Sequence, residues 1–338
     1  MYTVNTKINN QLSIWLFTMF WIISIMIVVG GLTRLTDSGL SITKWQLFSG
    51  ILPPLNQNDW ILYFNLYKEI PEFKLQNYNM NIQEFKIIFW WEWAHRLLGR
   101  LIGIGFLIPL IYFSFKIKPS KLLNLYLIFF LICFQGFVGW YMVSSGLVDR
   151  VDVSHFRLSI HLIIAFVILS LIYWNYLKIN NNNKNTQKIN AIIPFLFIIL
   201  IFLQIILGGF VSGMDAGKIY NSWPLMGKTF FPNDNELISL FKLSAFNDPS
   251  LVQFMHRNLG YIIVITYLLI FYKIYINKMY DLYRSINILG CFILLQIILG
   301  IFTVLYGAEI YIASMHQISS IFLVSSSVYF FYINTRFN

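Results

Sequence analysis

Residues 92–100 read Glu-Trp-Ala-His-Arg-Leu-Leu-Gly-Arg and stand near the start of an apolar run that continues to residue 114. The run is long enough to cross a bilayer as a helix, and it carries His95 near one end. A histidine inside a membrane span is costly unless it is paired, buried among helices or bound to a ligand. The stretch therefore predicts a membrane helix whose function involves His95.

The same pattern occurs three more times, with His161, His256 and His316 each lying a turn or two inside an apolar run. A small residue follows every histidine four positions later, and these residues are Gly99, Ala165, Gly260 and Ser320. Residues at i and i+4 share a helix face, so a small residue there leaves room for a flat macrocycle. Since imidazoles from facing helices commonly hold haem iron, we predict two bis-histidine haem sites. Ordinary packing of small residues between helices is the alternative.

Composition indicates a polytopic membrane protein, because 58% of the 338 residues are hydrophobic and only 11% are charged. Eight runs are long enough to span a bilayer. They cover roughly residues 12–31, 87–114, 121–143, 155–177, 191–211, 251–276, 283–306 and 309–333. The fold prediction is an all-α integral membrane protein. Cys133 and Cys291 lie within spans, and no Cys-x-x-Cys-His motif is present, which excludes the usual covalent c-type haem attachment.

The charge distribution predicts the orientation in the membrane. Alternate connecting segments and the two ends of the chain together hold eleven basic residues and one acidic residue. Their combined charge of +10 equals the net charge of the whole chain. The segments are 1–11, 115–121, 178–190, 273–284 and 334–338. The positive-inside rule places these segments and both termini on the cytoplasmic or matrix side. The basic charge therefore reflects membrane orientation, and no nucleic-acid partner is expected.

The chain repeats itself internally. Five residues recur at an offset of 178, with Gly31, Asp37, Gly39, Trp45 and Pro54 matching Gly209, Asp215, Gly217, Trp223 and Pro232. His95, Arg96 and Gly99 recur at an offset of 161. Four spans per repeat give both halves the same orientation. We predict two parallel-repeat four-helix bundles, an N-terminal half over residues 1–179 and a C-terminal half over residues 180–338. We interpret Asp37 and Asp215 as structural Asx turns.

Glu92 marks the point where the repeat breaks. It precedes His95 by three residues on the same helix face, whereas Gln253 holds the matching position before His256. One catalytic site and one electron-transfer site would explain an ionisable group beside only one histidine pair. The alternative is a carboxylate favoured by the dipole at a helix N-terminus.

Arginines and glutamines surround the histidines. Arg96, Arg100, Arg157 and Arg257 could bind haem propionates through their bidentate forks, or they could snorkel to lipid headgroups. Gln135 and Gln296 could hydrogen-bond a histidine nitrogen, or they could join helices as polar contacts.

Five stretches resemble the haem A synthase family over nearly the whole chain. They are Gly-Gly-Leu-Thr-Arg-Leu-Thr-Asp-Ser-Gly-Leu-Ser (30–41), Glu-Trp-Ala-His-Arg-Leu-Leu-Gly-Arg (92–100), Arg-Leu-Ser-Ile-His (157–161), Gln-Phe-Met-His-Arg-Asn-Leu-Gly (253–260) and Ser-Met-His-Gln (314–317). The first outer loop has no cysteine between residues 32 and 86. It is similar to the mitochondrial and alphaproteobacterial branch, which lacks the cysteine pair of the other branch.

The resemblance implies that the protein oxidises a ring methyl of haem O to a formyl group, giving haem A for cytochrome oxidase. It further implies that His95 and His161 hold the substrate haem, that His256 and His316 hold a haem b cofactor, and that Glu92 acts at the reacting methyl. Implied partners are an electron donor of quinol or ferredoxin type, the haem O synthase, oxidase assembly proteins and the lipid bilayer. The implied location is the bacterial or mitochondrial inner membrane.

Two other classes share part of the pattern. A dihaem quinol-oxidising cytochrome b needs the four histidines but has no need of Glu92. A transporter built from parallel repeats would need helices broken at the bilayer midplane, and no Pro or Gly break is aligned in the two halves.

Overall fold

A computed structural model describes residues 6–45, 49–148, 150–180 and 187–336. These residues form ten α-helices, four short 3-10 turns and one isolated β-bridge between Met226 and Thr229. The α-helices are α1 (Thr6–Leu35), α2 (Gln57–Lys68), α3 (Pro71–Leu75), α4 (Ile82–Ser114), α5 (Pro119–Gly146), α6 (His155–Asn180), α7 (Ile192–Gly213), α8 (Pro249–Ile276), α9 (Tyr280–Leu305) and α10 (Ile310–Thr335). Eight of them, all except α2 and α3, are long and apolar enough to span a membrane. The predicted all-α integral membrane fold with eight spans is confirmed.

The spanning helices pack as two rings of four. Helices α1, α4, α5 and α6 contact one another in sequence around the first ring, and α7, α8, α9 and α10 do so around the second. Contacts of α6 with α7 and α10, and of α1 with α10, join the rings into one apolar core. The division of the chain into two functional halves at residue 179 stays a prediction.

Helix α4 begins at Ile82, earlier than the apolar run predicts, because a capping box starts it. Asn81 Oδ1 accepts hydrogen bonds from the amides of Gln83 and Glu84, and Glu84 Oε2 accepts one from the Asn81 amide at 2.9 Å. Glu92 consequently lies almost three turns inside the helix. The helix-dipole interpretation of Glu92 is therefore wrong, because that effect fades within the first turn.

The loop between α1 and α4, which carries α2 and α3, forms an aromatic cap on the N-terminal end of α4. Trp60, Phe64 and Tyr67 from α2 pack on Phe85 and Phe89 of α4, with ring centres 5.0–5.2 Å apart. These side chains, with neighbours from the loop and from α5, form a second buried cluster beside the main core. The cap therefore holds the loop against the helix that carries Glu92 and His95.

One carboxyl group is buried within this aromatic cap. Glu72 is 2% exposed, and its Oε1 accepts a hydrogen bond from the Tyr67 hydroxyl at 3.1 Å, while its Oε2 has no partner among the described residues. Burial raises the pKa of Glu72 to about 8, although the Tyr67 hydrogen bond acts in the opposite direction. The same burial, together with the Glu72 charge, raises the pKa of Tyr67. The raised pKa favours the protonated, neutral form of Glu72 at neutral pH.

Asp37 and Asp215 lie in equivalent left-handed turns, with φ of 49° and 51°. The Asp215 side chain makes no capping hydrogen bond to the following turn. Both carboxylates instead reach Arg34, at 2.6 Å and 3.3 Å. The predicted turns are present, but the Asx-turn interpretation is wrong because the guanidinium takes the carboxylate oxygens.

Candidate functional site

The first histidine pair lies within the ring of α1, α4, α5 and α6. The imidazoles of His95 on α4 and His161 on α6 have centres 6.3 Å apart and planes inclined at 63°. A metal–imidazole bond is about 2 Å long, so one metal atom between two rings needs a nitrogen–nitrogen gap of about 4 Å. Ring centres lie farther apart than the facing nitrogens, and the observed spacing leaves room for such a gap.

The second pair lies in the other ring, with His256 on α8 and His316 on α10, and these two side chains are close enough to interact electrostatically. The described part of the chain contains no cluster of three or more histidine, cysteine or carboxylate side chains that could hold a metal ion. Two protein ligands suit an iron atom whose four other ligands come from a macrocycle. The residues present therefore fit haem better than a metal centre held by protein alone.

Each histidine ring lies against a glycine of a neighbouring helix. A methyl group built on Gly30, Gly139, Gly208 or Gly300 would stand 2.9–3.3 Å from an atom of the facing imidazole. The glycines face His95, His161, His256 and His316 in that order. Gly30 matches Gly208 at the offset of 178, and Gly139 matches Gly300 at the offset of 161. Both halves thus build the same cradle. A side chain at Gly139 would force a shift of the facing ring, and at the other three glycines the ring would have to move by a few tenths of an ångström.

Three of the rings have a buried Nδ1 atom with no hydrogen-bond partner among the described residues, namely His161, His256 and His316. A neutral imidazole carries one N–H donor and one acceptor nitrogen, and a buried polar atom without a partner is destabilising. Each of these three imidazoles therefore keeps a ring nitrogen that no group of the described residues occupies and that is available to a ligand.

Glutamines fix the helix backbone at three of the four histidines. Gln135 Nε2 donates to the His161 carbonyl at 2.8 Å, and Gln296 Nε2 donates to the His316 carbonyl at 3.0 Å. The prediction that these amides bond a histidine ring nitrogen is therefore wrong, and the alternative of polar contacts between helices holds. A carbonyl oxygen has two lone pairs, so it can accept the amide in addition to its own helical hydrogen bond.

Sequence reasoning missed Gln204, which donates to the His256 carbonyl at 3.0 Å and lies 3.3 Å from His256 Nε2. Its repeat counterpart at the offset of 178 is Met26, whose methyl group lies next to Gly99. Because the two residue types differ, comparing the halves for identities could not reveal this position. The second histidine pair therefore has a ring hydrogen bond that the first pair lacks.

Glu92 is 2% exposed and accepts hydrogen bonds on both oxygens. Oε2 accepts from the Ser41 hydroxyl and from the Ile42 amide, both at 2.7 Å. Oε1 accepts from the Arg96 guanidinium at 2.6 Å and 3.1 Å. The carboxylate is thus fixed one turn from His95 by the loop after α1 on one side and by a buried ion pair on the other.

The second half repeats this arrangement without the ion pair. Arg96 Nη2 donates to the carbonyl of Ile42, and Arg257 Nη2 donates to the carbonyl of Tyr220, at 2.8 Å and 2.7 Å. Ile42 and Tyr220 are themselves equivalent at the offset of 178. Gln253 Nε2 donates to the same Tyr220 carbonyl at 3.0 Å, and its Oε1 is buried without a partner among the described residues. Each arginine therefore anchors the loop that follows the first spanning helix of its half, and only the first half adds a carboxylate.

The arginines predicted to bind propionates are placed differently from one another. Arg257 is bound to loop carbonyls, and Arg157 donates to the Ser145 hydroxyl and lies 4.8 Å from the centre of the Tyr141 ring. Arg96 and Arg100, with Lys44, line a small cavity of about 20 Å³ beside the first histidine pair. Trp93 lines it as well, and its indole N–H is buried without a partner in the part of the chain described. Three cations and a free N–H donor suit a carboxylate.

The eight membrane-length helices, with two pairs of buried histidines between them, define a polytopic membrane protein. Comparison with known proteins agrees with this class. Residues 13–328 match the COX15-CtaA family model, described as "Cytochrome oxidase assembly protein". The chain belongs to this family.

Three similar relatives carry the name heme A synthase. The protein of Pelagibacter ubique is 50% identical over 338 residues, covering 99% of this chain and 100% of the relative. That of Rickettsia bellii is 43% identical, covering 94% and 96% of the two chains. That of Flavobacterium johnsoniae is 40% identical, covering 96% and 97%. The family prediction made from the five stretches is confirmed.

Proposed function

We propose that this protein is a haem A synthase, which oxidises one ring methyl of haem O to the formyl group of haem A. The observation that carries the proposal is the difference between two otherwise equivalent sites. Histidines, glycine cradles and loop-anchoring arginines recur in both halves, whereas Glu92 with its ion pair to Arg96 occurs in one. Relatives named heme A synthase, similar over nearly their full length, support the same assignment.

The first half holds the substrate haem through His95 and His161 in this proposal. The small cationic cavity beside Arg96 and Arg100 receives a carboxylate of the substrate, which orients the macrocycle. Glu92 stands one turn outward from His95 on the same helix, so its position relative to the bound ring is fixed. There it accepts a proton or stabilises developing positive charge at the reacting methyl.

The second half holds haem b through His256 and His316. When bound, haem b supplies one-electron transfer. Gln204 and Gln296 keep the two histidine backbones in register, and Gln204 additionally holds the His256 ring. With no carboxylate at Gln253, this site has the ligands for electron transfer and lacks the acid–base group that methyl oxidation calls for.

The protein lies in the bacterial inner membrane in this proposal, with both termini and the basic connecting segments inside. The aromatic cap and all four histidines then face the outer side, because α4, α6, α8 and α10 begin there. The electron donor, the haem O synthase and oxidase assembly proteins are the proposed partners.

The test is to express the chain with a supply of haem O and to analyse the extracted pigment by chromatography and mass spectrometry. We expect haem A, with the formyl oxygen, together with haem b, both extractable by acid acetone. Variants His95→Ala and His161→Ala should mainly disturb the substrate haem, and His256→Ala and His316→Ala should deplete haem b. Unmodified haem O from a protein that carries its full haem load would instead support the dihaem cytochrome b alternative.

A further inference from the structure

A cavity of about 450 Å³ lies between the two halves of the molecule, at the ends of the helices opposite to the histidines. We call it the inner cavity. Helices α1 and α6 line it from the first half, and α9 and α10 line it from the second. Its volume lies within the usual range of small-molecule sites. Neither histidine site reaches it, and the proposed function does not use it.

Aromatic rings form two opposite walls of the inner cavity. On one wall, Phe20 and Tyr173 have ring centres 5.3 Å apart, and Tyr176 stacks on Tyr173 at 6.4 Å with 16° between the planes. On the other wall, Phe292 and Phe322 stack at 5.5 Å with 13° between the planes. Paired walls of this kind favour a flat, apolar ring between them.

Hydrogen-bond donors line the cavity, and acidic groups do not. The hydroxyls of Tyr173, Tyr176 and Tyr329 and the guanidinium of Arg284 make no hydrogen bond or ion pair within the described ranges. The hydroxyls of Ser325 and Ser326 are already bonded to carbonyls of their own helix. The free groups of the cavity therefore call for a ligand whose polar atoms accept hydrogen bonds.

We propose that the inner cavity binds an isoprenoid quinone. A quinone ring is flat and apolar, and its two carbonyl oxygens accept hydrogen bonds. An anionic phospholipid is the main competitor, but headgroup phosphates favour clusters of basic residues, and Arg284 is the one cation among the lining side chains. A haem is a poorer fit, because no histidine, cysteine or methionine lines the cavity.

The position of the cavity gives the ligand a role. Phe322 follows His316 by six residues on α10, which places the near end of the cavity about 9 Å from the second histidine pair along the helix axis. The reduced form of such a ligand, a quinol, is the electron donor in this role: it passes two electrons one at a time to the haem site, releases two protons and becomes the quinone. This role rests on the proposed function, whereas the binding itself does not.

The binding test uses the full-length protein in phosphatidylcholine nanodiscs, titrated with decylubiquinone while tryptophan fluorescence is followed. Trp21 lines the cavity, so we expect saturable quenching whose amplitude falls in Trp21→Phe. Replacing Tyr173 and Tyr329 together by phenylalanine keeps the walls and removes two donors, and we expect binding at least tenfold weaker. Tenfold corresponds to about 1.4 kcal/mol, the size of two modest hydrogen bonds. Ser325→Phe should fill the cavity and abolish saturation.

The matched control is Tyr272→Phe, which removes an exposed tyrosine hydroxyl from α8 outside the cavity and should leave binding unchanged. The proposal would be overturned if the double phenylalanine variant and Ser325→Phe both bound decylubiquinone with the affinity of the unaltered protein. If added phosphatidylglycerol displaced decylubiquinone, and this displacement were lost in Arg284→Gln, the cavity would be assigned to a lipid and the proposal would also be overturned.

Haem content, measured on the same samples, separates the two proposals. Lost haem with intact quinone binding counts against the proposed function alone, and intact haem without saturable quinone binding counts against this inference alone.

Discussion

Asp37 and Asp215 hold the same guanidinium from the two halves of the chain. Each follows a spanning helix in a left-handed turn, and their carboxylates lie 2.6 Å and 3.3 Å from Arg34. Asp152, from the loop between α5 and α6, approaches the same side chain at 3.8 Å. Arg34 has Ser212 as its repeat counterpart, so one cation serves a pair of duplicated acids. The junction between the halves is thus electrostatic at the end that carries Arg34 and apolar between the spanning helices.

Replacing Arg34 should therefore weaken the junction. Its side chain is 10% exposed whereas the aspartates are about half exposed, so we expect Arg34→Gln to lower the free energy of unfolding by about 1–3 kcal/mol. The fall in melting temperature of the purified protein measures this. Lys218→Gln removes the exposed partner of Asp215 and is the control, with a loss well under 1 kcal/mol. Equal losses in the two variants would contradict a central role for Arg34.

The ion pairs of Arg34 with Asp37 and Asp215 also predict that the folded protein becomes less stable in acid. Burial alone would raise the pKa of Asp215, but the hydrogen bond from Lys218 and the charge of Arg34 outweigh it and lower the pKa below its ordinary value. A carboxyl with a depressed pKa in the folded state stabilises the protein at pH above its unfolded value, and this contribution is lost as the pH falls through the folded pKa. Asp215→Asn should flatten the fall in melting temperature below about pH 4. If the melting temperature of Asp215→Asn fell in acid as steeply as that of the unaltered protein, the prediction would be contradicted.

The raised pKa of Glu72 predicts that the stability of the folded protein falls at higher pH. Its pKa of about 8 in the folded protein lies above its ordinary value near 4.3. The folded state therefore binds the extra proton, and stability should fall as the pH rises from about 5 to about 8. Glu72→Gln should remove this slope in the melting temperature while keeping an acceptor for Tyr67. Glu69→Gln, at an exposed position three residues earlier, should keep the slope of the unaltered protein. A wild-type slope in Glu72→Gln would refute the assignment.

The glycine cradles predict site-specific loss of haem. A methyl group at Gly139 would meet His161 at 2.9 Å, whereas one at Gly136 on the same helix has nothing within 4 Å. Gly139→Ala should displace the His161 ring and lower haem occupancy of the first site several-fold, with Gly300→Ala doing the same at the second. Gly136→Ala should leave occupancy unchanged, since alanine is also the better helix former. Absorption spectra with extracted-haem analysis measure both, and equal occupancy in Gly139→Ala and Gly136→Ala would contradict the cradle.

The sequence predicts the eight spans and the four histidines well because both signals are local. Helix length and hydropathy are properties of single stretches, and the repeat confirms the register of each histidine. The start of α4 was missed because its capping box at Asn81 and Glu84 lies in polar sequence before the apolar run. The ion pair between Glu92 and Arg96 could have been found, since residues four apart share a helix face.

Other features of the site depend on contacts distant in the chain. The loop carbonyls of Ile42 and Tyr220 meet arginines more than thirty residues away. No side-chain pattern marks a backbone acceptor, because every residue carries the same carbonyl group. Gln204 escaped notice for a related reason, since its counterpart Met26 has no amide group to donate or accept a hydrogen bond. Tertiary structure is needed to show what these positions contact.

The orientation of the chain can be tested by reporter fusion. The connecting segments assigned to the inside hold eleven of the basic residues, and the positive-inside rule then places both termini there. A reporter active only in the cytoplasm should work when fused after Asn338, and one active only outside should work when inserted in the loop before α2. The reverse pattern would place the histidine sites on the inner side and contradict the proposed topology.

Glu92→Gln tests the proposed chemistry most directly. Glutamine is what the second half carries at Gln253, and its carbonyl can still accept from Ser41 and Ile42. Because the ion pair to Arg96 is lost, we expect the free energy of unfolding to fall by about 1–3 kcal/mol. If Glu92 acts at the reacting methyl, the ratio of haem A to haem O in folded protein should fall by about 10²-fold, with haem occupancy kept.

A purely structural Glu92 would behave differently in the same experiment. The amount of folded protein would then decrease, but the ratio of haem A to haem O in the folded fraction would stay at its wild-type value. Gln253→Glu is the matched control, since it adds a carboxylate at the equivalent place in the second half and should leave the ratio unchanged. The ratio is measured by chromatography of acid-acetone extracts from size-selected protein. A wild-type ratio in Glu92→Gln would remove Glu92 from the mechanism and leave it the role of holding Arg96 and the outer loop.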